Sequence, residues 1–165
     1  NYQEEMWLVA MVYGGALFSG SYMSGEYSAL LRRRALSMLQ LADRLLNEGE
    51  YDLAALHAEY AAQLYLKSLL FRLTGEEWRG HNVRMLIGLL AYTLEERGLR
   101  ALADEVMDFA KRNKRILAEL EEAHTRSVYG PFQYSRDQAT ALLHAARNVV
   151  ELAKRIEKSV FGDRD

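Results

Sequence analysis

Apolar residues recur at helical spacing over most of this 165-residue chain, and no segment alternates apolar and polar positions as a half-buried strand would. The spacing predicts a first helix over about residues 25–48, a second over 52–74 and a third over 82–97. Asp52 suits the N-cap of the second helix, and a glycine follows the end of each helix. Consecutive helices should be antiparallel neighbours, because the connections between them are short and marked by glycine. The apolar side predicted for the first helix is made of Tyr27, Leu31, Met38, Leu41 and Leu45, and that of the third of Val83, Leu86, Leu90 and Leu94.

Two further helices are predicted from seams in which apolar residues alternate spacings of four and three. Asn113, at a seam position, is interpreted as a polar residue that fixes helix register. Ser135 and Gln138 form a capping-box pattern at the start of the last helix. The fold class predicted is therefore all-α, an up-and-down antiparallel bundle of four or five helices. The first seam comprises Leu102, Val106, Phe109, Asn113, Ile116, Leu120 and Ala123, and the second Ala139, Leu142, Ala146, Val149, Ala153, Ile156 and Val160.

The second helix is apolar almost all the way round, which predicts burial on most of its sides. Glu59, Gln63 and Lys67 nevertheless follow one another at every fourth residue, so they form one polar row along this helix. Buried polar groups need hydrogen-bond partners. The partners of this row could be one another, a neighbouring helix, a second subunit or a ligand.

The N-terminal residues differ in character from the predicted bundle. An apolar run over residues 6–18 is too short to span a bilayer and lacks the basic flank of a secretory signal. A stretch rich in Gly and Ser over residues 19–25 resembles a flexible joint. We therefore divide the chain into an N-terminal appendage with its joint, residues 1–25, and a helical bundle, residues 26–161.

Composition excludes several classes of protein. The net charge of −2 gives no reason to expect non-specific binding to nucleic acid or to a membrane. The absence of cysteine excludes disulfides, thiolate zinc sites and cysteine nucleophiles, and it is compatible with a cytoplasmic location. No pair of histidines is spaced to bind a metal on one helix, and no Gly-rich phosphate loop is present. We expect no metal and no cofactor.

Three segments resemble the HEPN (higher eukaryotes and prokaryotes nucleotide-binding) domain family. The first is AEYAAQLYLKSLLFRLTG, residues 58–75, and the second is GHNVRMLIGLL, which places His81 at the start of the third helix. The third is LEEAHTRSVYGPFQYSRDQATALLHAARNVV, residues 120–150, which is similar to the family's acidic, aromatic, Arg-Tyr-Gly turn and its Ala-rich last helix. The resemblance implies a helical bundle that usually forms a homodimer, in a family that includes ribonuclease toxins and partners of small nucleotidyltransferases.

The ribonuclease members of the family use an Arg followed after four to six residues by a His. This chain lacks that motif, because Pro131, Phe132 and Gln133 occupy the positions after Arg126 where the His would stand. The resemblance therefore favours a non-catalytic homodimer that binds a nucleotide or a partner protein, such as a small nucleotidyltransferase of a toxin-antitoxin-like system.

The candidate binding residues of such a module are Lys67, His81, Arg126 and Tyr129, and no residue is assigned as catalytic. The alternative is a ribonuclease, with RNA as substrate, in which Arg126 and a His from elsewhere, such as His124, replace the missing motif.

Overall fold

The computed structural model describes residues 21–80 and 82–163, with side chains from Gly25 onward. Over these residues the chain forms six helices and no strand, which confirms the predicted all-α bundle. The N-terminal run 6–18 and the candidate His81 lie outside the described residues. The helices are α1 Ser21–Asn47, α2 Tyr51–Thr74, α3 Val83–Glu96, α4 Arg100–Arg112, α5 Lys114–Tyr129 and α6 Arg136–Phe161.

Helix α2 is the centre of the bundle and packs against α1, α3, α5 and α6. Its alanines are fully buried, because four neighbours can approach a helix on different sides only where its side chains are small. Its larger buried residues include Tyr65, Leu66 and Leu69. The predicted burial on most sides is confirmed, and the neighbours that provide it belong to the same chain.

The predicted helix through the first seam is wrong in one respect, since it is divided at Asn113 into α4 and α5. The backbone N–H of Asn113 and its side-chain Nδ2 both donate to the carbonyl of Phe109, at 3.1 and 2.9 Å. An Asn side chain that bonds to nearby backbone competes with helix continuation, which explains the break. Asn113 is thus a helix junction rather than a register-fixing residue, and it lets α4 pack on α3 while α5 packs on α2.

Helix α1 begins at Ser21, four residues before its predicted start, so the second part of the expected Gly/Ser joint is helical. Two contacts with α2 stabilise this end of the helix. The hydroxyl of Ser28 donates to the carbonyl of Ser68 at 2.9 Å, and the Tyr27 ring meets the Phe71 ring edge-on at 4.9 Å. Packing of this kind overrides the low helix propensity of Gly and Ser.

The apolar side predicted for α1 is correct only near its start. Leu31 is buried, but Met38, Leu41 and Leu45 remain half-exposed. The residues that face α2 further along are Ala35 and Ala42, both fully buried. Small residues allow the two helix axes to approach closely, and the larger side chains are left at the rim of the contact.

The helix ends follow the predicted signals with one exception. The capping box of Ser135 and Gln138 is confirmed at the start of α6. Asp52 is not the N-cap of α2, because the helix already begins at Tyr51. The Asp52 carboxylate instead accepts a hydrogen bond from the backbone N–H of Tyr134 at 2.7 Å, which ties the α5–α6 turn to the first turn of α2.

Candidate functional site

The polar row of α2 is a continuous chain of hydrogen bonds. Gln63 Nε2 donates to Glu59 Oε1 at 2.6 Å, and Lys67 Nζ donates to Gln63 Oε1 at 2.8 Å. The amide of Gln63 therefore uses its donor on one neighbour and its acceptor on the other. Residues four apart on a helix lie one above the other, so this part of the site follows directly from sequence spacing.

Glu59 is the most deeply buried member of the row, with 1% of its surface exposed. Its second carboxylate oxygen lies 3.0 Å from Nδ1 of His124, which α5 carries across the helix contact. Both oxygens of Glu59 are thus hydrogen-bonded, as a buried carboxylate requires. Burial raises the pKa of Glu59, while the contacts with Gln63, His124 and Lys67 act in the opposite direction.

His124 is exposed to solvent on the side away from Glu59. Its ring centroid lies 5.4 Å from that of Tyr60, which is also exposed. Because Nδ1 faces the carboxylate, Nε2 is the nitrogen left for another molecule. An imidazole oriented by a buried acid can bind an anion or hydroxyl group, and it can transfer a proton.

Arg126 lies on a different side of α5 from His124, because residues two apart on a helix do not face each other. Its guanidinium carbon is 5.2 Å from the centroid of the Tyr134 ring, in a cation–π contact. Tyr134 is buried and is bonded through its backbone to Asp52. The Arg126 side chain therefore lies against the α5–α6 turn, and it remains exposed to solvent.

Within the described residues of one chain, Lys67 does not lie together with Arg126 and Tyr129. Tyr129 and Arg126 lie at the α5–α6 turn, beside the start of α2 at Asp52. Lys67 is about 22 Å further along α2, since a helix rises about 1.5 Å per residue. The pairing of His124 with Glu59 was not predicted, because the sequence does not indicate which helix faces Glu59.

Large apolar side chains are exposed on α2, at the end of α5 and in the α5–α6 turn. We call Leu53, Tyr60, Val128, Tyr129 and Phe132 the apolar face. Tyr129 is 85% exposed and Phe132 is 75% exposed. Exposed apolar patches of this kind are typical of interaction surfaces.

A family model of the HEPN domain matches residues 28–156. The match runs from α1 to α6 and so covers most of the bundle. The chain belongs to the HEPN domain family. This membership, predicted from the three sequence segments, supports a module concerned with nucleotides or RNA. Neither a curated protein nor a solved structure gives a significant match to the chain.

The described part of this HEPN domain contains no group of three or more acidic residues and histidines that could hold a metal ion. No helix within residues 21–80 and 82–163 has the length and apolar character needed to cross a bilayer. The candidate functional features of the described residues are the His124–Glu59 pair, the apolar face beside it and the end of the polar row at Lys67.

Proposed function

We propose that this HEPN domain is a non-catalytic interaction module that forms a homodimer and binds a partner protein through the apolar face. The observation that carries the proposal is the exposure of Tyr129, Phe132 and Val128 at one end of the bundle. Side chains of this size, when they are held rigidly, provide most of the binding energy of protein interfaces.

The apolar face is continuous because of the way α2 and α5 run. Tyr60 lies beside His124, and the α5–α6 turn is bonded to Asp52 at the start of α2, so the two helices are antiparallel. One turn beyond His124 on α5 is Val128, and Leu53 lies two turns before Tyr60 on α2. The exposed apolar residues of α2 and α5 therefore lie toward the same end of the bundle.

The turn that presents Tyr129 and Phe132 is held in place from several sides. The backbone of Gly130 packs against Arg126, and Arg126 in turn packs on Tyr134. The Tyr134 N–H is bonded to Asp52. A preorganised surface loses little conformational entropy on binding, which favours affinity.

The proposed partners are a second copy of this chain and a small nucleotidyltransferase of a toxin-antitoxin-like system. Self-association fits the apolar character of the face, because a symmetric dimer can bury the same apolar surface of both copies. The nucleotidyltransferase rests on the family resemblance and is tested by co-purification with one encoded beside this chain. Nucleotide binding is measured on the same purified complex.

The homodimer is tested by sedimentation equilibrium at micromolar concentration. We expect wild type to be a dimer, and Val128→Asp to weaken it by about tenfold or more, because the change buries an unpaired charge. Tyr92→Ser is the matched control: Tyr92 is 63% exposed on α3, outside the apolar face, and its loss should leave the dimer intact. A wild type that remains monomeric would rule out the homodimer.

A ribonuclease is the second candidate, and the His124–Glu59 pair favours it because an imidazole oriented by an acid suits general acid–base catalysis. Against it, Arg126 of the same chain packs on Tyr134. Purified wild type should give only background cleavage of RNA. Cleavage that both His124→Ala and Arg126→Ala abolish would replace the binding function with this one.

A further inference from the structure

A cavity of about 130 Å³ lies between α1, α2 and the segment that follows α2. Its apolar walls are formed by Leu31, Leu64, Phe71 and Trp78. An apolar protein cavity of about 150 Å³ is known to hold benzene, so this volume suits a molecule of about four to six heavy atoms. The cavity lies at the opposite end of α2 from the start of the apolar face at Leu53.

Lys67 brings a positive charge to this cavity. Its Nζ atom donates to Gln63 Oε1, and no carboxylate of the described residues lies within ion-pair distance of it. An ammonium group has three N–H donors, so one contact with a neutral amide leaves it able to bind an anion. Burial and the nearby charge of Arg79 lower the pKa of Lys67, with Glu59 and Glu77 acting in the opposite direction.

Two other charged residues, Glu77 and Arg79, line the cavity. Their charges are of opposite sign, and the two side chains lie close to each other. Glu77 accepts a hydrogen bond from the Tyr27 hydroxyl at 2.5 Å, and Arg79 Nη2 lies 3.4 Å from both Glu77 oxygens. The negative charge of Glu77 is thus matched by Arg79. Lys67, by contrast, has no carboxylate of the described residues within ion-pair distance, although Glu59 and Glu77 lie near enough to act on it.

We propose that this cavity binds a small organic carboxylate, with the carboxylate group on Lys67 Nζ and the hydrocarbon part against Leu31, Leu64 and Phe71. A cation with free donors selects an anion, and apolar walls select a ligand with a hydrocarbon portion. Inorganic phosphate suits the site less well, because it has no hydrocarbon portion to pack against Leu31, Leu64 and Phe71. This binding activity is independent of the proposed dimer.

The hydrogen bonds of the polar row explain why the Lys67 ammonium group is held at the cavity. Gln63 donates to the buried Glu59, so its carbonyl oxygen is the atom presented to Lys67. The ammonium is held by an acceptor on its own helix, at the edge of the cavity. A ligand would meet a positioned charge rather than a freely moving surface lysine.

The test is a titration of the full chain with sodium butyrate, followed by amide chemical shifts in nuclear magnetic resonance spectra. We expect saturable shifts at Phe71, Trp78 and Lys67 at millimolar butyrate, with much weaker effects from inorganic phosphate and from n-butanol. Butanol has a similar hydrocarbon chain without the charge, and phosphate has charge without the chain.

Two variants and a control complete the experiment. Lys67→Met should weaken butyrate binding by about tenfold or more, since a charge-assisted hydrogen bond is lost. Lys67→Gln also removes the charge, but its side-chain amide can still hydrogen-bond to Gln63. This second variant replaces Lys67→Met in the experiment if Lys67→Met folds poorly. Lys154→Met removes an exposed lysine of α6 that is paired with Glu151, and it should bind butyrate as wild type does. The proposal is overturned if wild type shows no saturable shift, if phosphate or butanol binds as well as butyrate, or if the folded Lys67 variants bind as wild type does.

Discussion

The buried carboxylate of Glu59 on α2 lies 3.0 Å from Nδ1 of the exposed His124 on α5. The contact joins residues 65 positions apart in the chain and links the interior of the bundle to its surface. Through Gln63, the same carboxylate is connected to Lys67 at the cavity. Both ends of this polar chain are accessible to another molecule, and its middle is fixed by the core.

Glu59 should make the stability of the domain depend on pH. Its pKa is raised by burial, so the folded protein holds the Glu59 proton more tightly than the unfolded chain does. The resulting stability is fully present below pH 4.5, the usual value, and is lost as pH rises through the raised pKa. The urea midpoint of wild type relative to Glu59→Gln should therefore fall as pH rises above 4.5.

His124→Phe provides a matched test of that pH dependence. It retains an aromatic ring beside Tyr60 but removes a contact that opposes the rise in the pKa of Glu59. The loss of stability with rising pH should therefore be larger in His124→Phe than in wild type. A pH profile that is the same in wild type, His124→Phe and Glu59→Gln would show that Glu59 does not titrate in this way.

Gly130→Ala should destabilise the α5–α6 turn. A Cβ atom at Gly130 would collide with the backbone oxygen of Arg126 and lie 2.9 Å from its Cγ. We expect a cost of about 1–3 kcal/mol in the free energy of unfolding, measured by urea denaturation. The dimer should weaken as well, because Tyr129 and Phe132 would move.

Gly88→Ala is the control for that substitution. Gly88 is exposed in the middle of α3, and apart from its chain neighbours and the adjacent backbone of its own helix no heavy atom lies within 4 Å of the place its Cβ would occupy. Alanine there should stabilise the domain by about 0.5–1 kcal/mol, because glycine is a poor helix former. Similar effects at both glycines would contradict the close packing assigned to Gly130.

Glu157→Gln should destabilise the contact of α6 with α1 and α2. The carboxylate lies 3.1 Å from Arg32 Nη1 and 3.4 Å from Arg72 Nη1, and the Tyr65 hydroxyl donates to it at 3.3 Å. Removing its charge leaves two arginines without this partner, at a cost of about 1–3 kcal/mol. The measurement is again the urea midpoint.

The exposed pair of Glu151 and Lys154 on the same helix gives the comparison. Glu151→Gln should change stability by less than about 0.5 kcal/mol, because exposed ion pairs contribute little. If Glu157→Gln proved equally mild, the other contacts of Arg32 and Arg72 would be sufficient to hold the three helices together.

Local spacing accounts for most of what could be predicted of the fold. A period near 3.6 shows which residues share a helix face, so the stripe Val83, Leu86, Leu90 and Leu94 was predicted and is fully buried. The row from Glu59 to Lys67 is local in the same sense, because its members are neighbours on one helix. The segments 58–75 and 120–150, which suggested the family, can likewise be read from the sequence alone, and both lie within the matched residues 28–156.

Contacts between helices were decided by tertiary structure. Periodicity shows that a face is apolar but not which helix covers it, so α1 could not be predicted to use Ala35 and Ala42 rather than Met38 and Leu41. The break at Asn113 arises from local hydrogen bonds to the carbonyl of Phe109, but the different helices that α4 and α5 then contact were not visible in the spacing. The pairing of Glu59 with His124, and the separation of Lys67 from Arg126, follow from where those helices lie, because such contacts join residues far apart in the chain.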